Sequence, residues 1–100
     1  MVKHIILWKL KEINIKEERD RVISDIKTGL EGLKGQIEGL IDIKVNVSGL
    51  SSSNMDIMLD CTLKDEEALK RYANHEKHLY VANTFVRPYT EIRSCFDYEI

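Results

Sequence analysis

The chain has 100 residues, 43% hydrophobic and 32% charged, the balance of one globular domain spanning residues 1–100, too short for two. Its 15 Lys and Arg face 17 Asp and Glu, a formal charge of −2 without any basic run, which argues against a nucleic-acid partner. Uninterrupted apolar stretches reach only four residues, as at Ile5 to Trp8, too short for a membrane span or the core of a signal segment, so the expectation is a cytoplasmic protein with no membrane partner.

In chain order, Val2 to Leu10 alternates as a strand, with Val2, His4, Ile6, Trp8 and Leu10 on one face and Lys3, Ile5, Leu7 and Lys9 on the other. Asn14, with Glu17 three residues on, reads as the N-cap of a helix that carries Val22, Ile23, Ile26, Leu30, Leu33 and Ile37 at helical spacing and ends near Gly35. Ile41, Ile43, Val45 and Val47 then alternate with polar residues. After a Gly49 to Asn54 turn, Met55, Ile57, Leu59, Cys61 and Leu63 do the same, which makes a hairpin. Asp65 is the N-cap of a second helix, with Glu66 and Glu67 in its first turn. Its apolar pattern runs from Ala68 to Val86 and stops at Pro88, leaving open a break near His75 and Glu76 that the sequence does not locate. Ile92, Ser94, Phe96, Tyr98 and Ile100 alternate with Arg93, Cys95, Asp97 and Glu99 in a last strand.

The order strand, helix, strand, strand, helix, strand predicts an α+β, ferredoxin-like βαββαβ fold with an antiparallel four-stranded sheet. Both helices cover one face of such a sheet, here assigned the apolar sets that include His4, Ile41, Met55 and Ile92. The open face then carries Ile5, Leu7, Met58 and Cys95 among Lys3, Lys9, Asp56, Asp60, Arg93 and Asp97, and its apolar part predicts a homodimer. Cys61 and Cys95 read as separate buried thiols, too few for a disulfide scaffold or a zinc framework.

Tyr72, His75 and His78 follow one another at intervals of three. On a continuous helix Tyr72 and His78 point about 120° apart, whereas a break after His75 lets both turn toward the sheet, where His4 shares the strand face of Ile6 and Trp8. A neutral imidazole beside a phenol suits proton abstraction next to a carbonyl, with the phenol donating to the developing oxyanion. The same residues also fit a structural reading in which the histidines and the tyrosine only satisfy the core. No metal is expected, because His75 and His78 lack an accompanying carboxylate motif, and no phosphate loop, dinucleotide fingerprint or other cofactor signature is present.

The opening Val2-Lys3-His4-Ile5-Ile6-Leu7-Trp8-Lys9-Leu10-Lys11, the Tyr72-x-x-His75-x-x-His78 stretch and the closing Phe85-Val86-Arg87-Pro88-Tyr89 through Asp97-Tyr98-Glu99 resemble the stress-responsive A/B barrel (Dabb) family over essentially the whole chain. The resemblance implies a dimeric α/β barrel, in which two subunits press their open sheet faces together and each keeps a small-molecule pocket between sheet and helices. It implies His78 as base and Tyr72 as its partner, the roles of the matching pair in a plant polyketide cyclase of that family. His4, Ile6, Trp8, Ile23, Lys27, Leu59, His75 and Phe85 would line the pocket around a small apolar carbonyl or phenolic ligand. The chain departs from the family at His75-Glu76-Lys77-His78, where a Pro-Ala pair is common between the histidines. Ile23, Ser24 and Lys27 replace aromatic walls of the cyclase, which argues against the polyketide itself. A non-catalytic, stress-related dimer is the alternative.

Overall fold

The computed structural model describes all 100 residues. Strand β1 (Val2–Leu10) leads to helix α1 (Lys16–Glu31), then to strands β2 (Leu40–Asn46) and β3 (Ile57–Leu63). Helices α2 (Glu66–Asn74) and α3 (Glu76–Val81) follow, and a π-helical turn over Ala82–Val86 and a 3-10 turn over Arg87–Tyr89 lead into strand β4 (Thr90–Glu99). The sheet is antiparallel throughout in the order β2-β3-β1-β4, the ferredoxin-like arrangement expected from the element order.

The core lies between this sheet and the helices. Ile6, Trp8 and Leu10 of β1, Ile43 and Val45 of β2, and Ile57, Leu59, Cys61 and Leu63 of β3 meet Val22, Ile26 and Leu30 of α1 and Ala68 and Tyr72 of α2. The i, i+4, i+8 spacing of the α1 residues lays one stripe of that helix on the sheet. On edge strand β2, the Val45 amide donates to Glu31 Oε2 at 2.9 Å and the Val45 carbonyl accepts from Lys27 Nζ at 2.7 Å. Those two side chains form an ion pair of their own, so α1 satisfies edge-strand groups that would otherwise invite a stray strand. Gly39, at φ +87°, turns the chain into β2, and a Cβ there would lie 2.6 Å from that of Ala68.

Several expectations need correction. Helix α1 starts at Lys16 after Ile15, without any side-chain cap from Asn14, and ends at Glu31 rather than near Gly35; Leu33 and Ile37 are still buried, from the turns that follow. A bulge between Leu40 and Asp42 turns Ile41 out to solvent and gives its inward place to Leu40. The largest change concerns β4. The register pairs Ile6 with Cys95, Trp8 with Arg93 and His4 with Asp97, so these three β4 residues share the helix-side face, while Phe96 pairs with Ile5 and Ser94 with Leu7 on the open face. The apolar alternation of β4 therefore belongs to the open face, the reverse of the assignment from the sequence. Because β4 is an edge strand that the helices do not cover, Cys95 is exposed rather than buried.

Candidate active site

Helix α2 begins as expected, with the Asp65 side chain accepting from the Ala68 amide at 2.8 Å. It ends at Asn74, because His75 takes an extended conformation (ψ 135°) and becomes the N-cap of α3, its Nδ1 accepting from the Lys77 amide at 3.1 Å. This break reorients His78. Its ring lies against that of Tyr72, with centroids 4.3 Å apart and planes tilted by 39°, and His4 meets Tyr72 edge-on at 6.0 Å.

His78 Nδ1 lies 3.2 Å from the carbonyl oxygen of Ala73. A carbonyl can only accept, so Nδ1 holds the proton and Nε2 keeps its lone pair. Burial holds the imidazole below the usual histidine range, with His4, Arg87 and Arg93 pushing the same way against the Ala73 hydrogen bond. It is therefore neutral near pH 7 and able to accept a proton at Nε2. Burial pushes the Tyr72 phenol upward, so that it stays protonated. Its hydroxyl is enclosed and finds no hydrogen-bond partner, a state that costs roughly 1–3 kcal/mol for a neutral group. His4 Nδ1 lies 2.5 Å from Asp97 Oδ1, so the β4 carboxylate holds that ring in place.

A cleft of about 70 Å³ opens beside these rings. Its lining joins His4, Ile6 and Trp8 of β1 and Leu30 of α1 to His78 and to Ala82, Val86 and Arg87 from the irregular turns, and it closes on Thr90 and Arg93 of β4. A larger groove of about 500 Å³ runs outside, between α1 and α3, and holds none of the three histidines. The Glu76-Lys77 pair that replaces the family's Pro-Ala faces that outer groove, where Lys77 Nζ donates to Gln36 Oε1 at 3.0 Å.

Of the residues named from the sequence, His4, Ile6, Trp8 and His78 line the cleft. Tyr72 stacks on His78 from behind and is not part of the lining. Leu59 is core, Ile23 packs at the core's edge, Lys27 is clamped to β2, and His75 is a helix cap. Phe85 packs against Tyr80 and next to Gly29. Arg87 and Arg93 were missed. Arg93 would have been found by placing its β4 face correctly; no motif signals Arg87.

Residues 2–100 match the family model for the Stress Responsive A/B Barrel Domain, Dabb. The chain belongs to the Dabb family. No curated protein matches it. Among solved structures, this Dabb chain is similar to a dimeric protein of unknown function with a ferredoxin-like fold from Bacteroides fragilis, at 29% identity and a TM-score of 0.90 over 99% of this chain and 95% of that one. It shares its fold with a Dabb protein from Mesorhizobium loti, at 20% identity and a TM-score of 0.76 over 99% and 95% of the two chains. It also shares it with a hydroxynitrile lyase from Passiflora edulis, at 16% identity and a TM-score of 0.73 over 99% and 92%.

Proposed function

We propose that this Dabb protein is a homodimer whose cleft carries out acid-base chemistry on a small carbonyl compound, with His78 Nε2 taking a proton from the carbon next to the carbonyl and the Tyr72 hydroxyl donating to the oxygen as it becomes an enolate. The observation that carries the reading is the enclosed, unpartnered Tyr72 hydroxyl against a neutral imidazole whose free nitrogen is Nε2. An orphaned donor is costly, and an oxyanion is the partner that repays it. The cleft is far below the roughly 300 Å³ of ordinary ligand pockets, so the substrate is a compound of a few heavy atoms and not a polyketide. Tyr72 lies behind His78 and outside the cleft lining, so the reading requires the His78 ring to move before the hydroxyl meets a substrate.

The dimer rests on the open sheet face, where Ile5, Leu7, Met58, Ile92, Phe96 and Tyr98 share one side and Phe96 is 68% exposed. A patch of this kind on a small domain asks for a partner, and the Bacteroides fragilis relative is dimeric. Pairing through that face leaves the cleft untouched, because it lies between the sheet and the helices. The narrowness of the cleft and the position of Tyr72 behind His78 favour the competing reading, a purely structural dimer.

Solvent exchange decides between them. With acetone, butanone and acetaldehyde as probes in heavy water, the protein is expected to accelerate deuterium incorporation next to the carbonyl, as followed by NMR, and Tyr72→Phe and His78→Ala each to lower that rate at least about tenfold. Exchange no faster than with the doubly substituted protein overturns the catalytic reading.

A further inference from the structure

We propose that His4, Cys95 and Asp97 form a binding site for a borderline-soft divalent cation of the zinc type, open to solvent at its fourth position. The β1–β4 register builds it: His4 lies directly across from Asp97, Ile6 across from Cys95, and all three donors rise from the helix-side face of two paired strands. Asp97 Oδ1 lies 2.5 Å from His4 Nδ1 and 3.4 Å from Cys95 Sγ, and that sulfur lies 4.0 Å from the same His4 nitrogen. One nitrogen, one sulfur and one carboxylate oxygen thus lie within 4.0 Å of one another, and no other place in the fold brings three His, Cys, Asp or Glu donors together in this way.

The distances suit a tetrahedral ion. With zinc bonds of about 2.0–2.3 Å, neighbouring donors stand roughly 3.3–3.6 Å apart. The sulfur-to-oxygen separation already meets this, and the others need shifts below about 1 Å, which the exposed Asp97 and Cys95 side chains on an edge strand can supply. One thiolate and one carboxylate cancel the charge of a divalent ion, so the filled site carries no net charge beside the buried His4 ring. Binding breaks the S–H bond of Cys95 and releases that proton to solvent, while the His4 proton moves from Nδ1 to Nε2. A thiolate with an imidazole selects zinc, cobalt or copper over magnesium and calcium. Dimerisation through the Phe96 face leaves the site accessible, because Cys95 and Asp97 point to the other side of β4.

Titration of the whole protein with cobalt(II), followed by absorption, tests the site directly. The expected result is a sulfur-to-cobalt charge-transfer band at one equivalent per chain with tetrahedral ligand-field bands, both displaced by zinc(II). Cys95→Ser should abolish the charge-transfer band and Asp97→Asn should weaken binding at least 10- to 100-fold, while His78→Gln should leave both unchanged. Both altered positions are exposed, and circular dichroism checks that the variants fold. No charge-transfer band, or one that survives Cys95→Ser, overturns the proposal. This readout is independent of carbonyl chemistry, so the site stands or falls separately from the proposed function.

Discussion

The Tyr72 ring lies on the His78 imidazole, 4.3 Å between centroids, although the two are six residues apart in a stretch that reads as helical. An unbroken helix separates such residues by about 120°. The extended backbone of His75 removes that separation, and its side chain caps the helix that carries His78. His75 thus acts by ending one helix and starting the next, outside the cleft.

Replacing Tyr72 with Phe removes a hydroxyl that has no partner. Denaturant melts are expected to give a stability unchanged or raised by up to about 1 kcal/mol, alongside the loss of carbonyl exchange. A loss of more than about 1 kcal/mol would show that the hydroxyl is a structural donor.

Burial holds His78 below the ordinary histidine value of about 6.5. Above that pH neither the folded nor the unfolded chain protonates it, and it has no effect on stability. As pH falls below it, the unfolded chain takes up a proton that the folded chain refuses, so stability drops until the pH reaches the folded value. Urea melts at pH 7.5 and 5.5 should show a smaller acid loss for His78→Gln than for wild type, while the rate of carbonyl exchange should hold through that window and fall only once the pH reaches the lower folded value, where the base takes up its proton.

Phe96 lies on the open face of edge strand β4, opposite Ile5, and is 68% exposed in the single chain. Phe96→Lys is expected to convert a dimer into a soluble monomer, read by light scattering at micromolar concentration. An unchanged mass would locate the interface elsewhere.

Gly39→Ala forces a side chain into a left-handed backbone position and 2.6 Å from the Ala68 Cβ. Strain of this kind costs of order 1–3 kcal/mol. Thermal melts should show the loss, and Gly35→Ala, with φ +83° but nothing within 4 Å, should lose less.

Most of the fold was legible in the residues. The period-two runs of β1 and β3 and the Asp65 cap read correctly because local rules govern them: side chains alternate along a strand, and a carboxylate satisfies free amides at a helix start. Asn14 misled because capping needs the side chain at the position where the helix begins, and the chain enters α1 one residue later, through Ile15. The two cysteines illustrate the limit. Each sits in a strand, yet Cys61 lies in the centre, where burial pushes its thiol up to about 12, and Cys95 lies at the edge in reach of solvent.

The sequence by itself determined the order of the elements and the ferredoxin-like topology, which follow from local periodicity and turn chemistry, whereas the place of the helix break at His75, and with it the meeting of Tyr72 and His78, was left open until the chain was folded. Only the tertiary structure decided which side of β4 faces the helices. Alternation reveals that two faces differ, but an edge strand left uncovered by helices can turn its apolar side toward a partner subunit as readily as toward its own core, and the register with β1 settles which. That one choice moved Phe96 to the open face, and it placed Arg93 at the cleft and Cys95 and Asp97 beside His4.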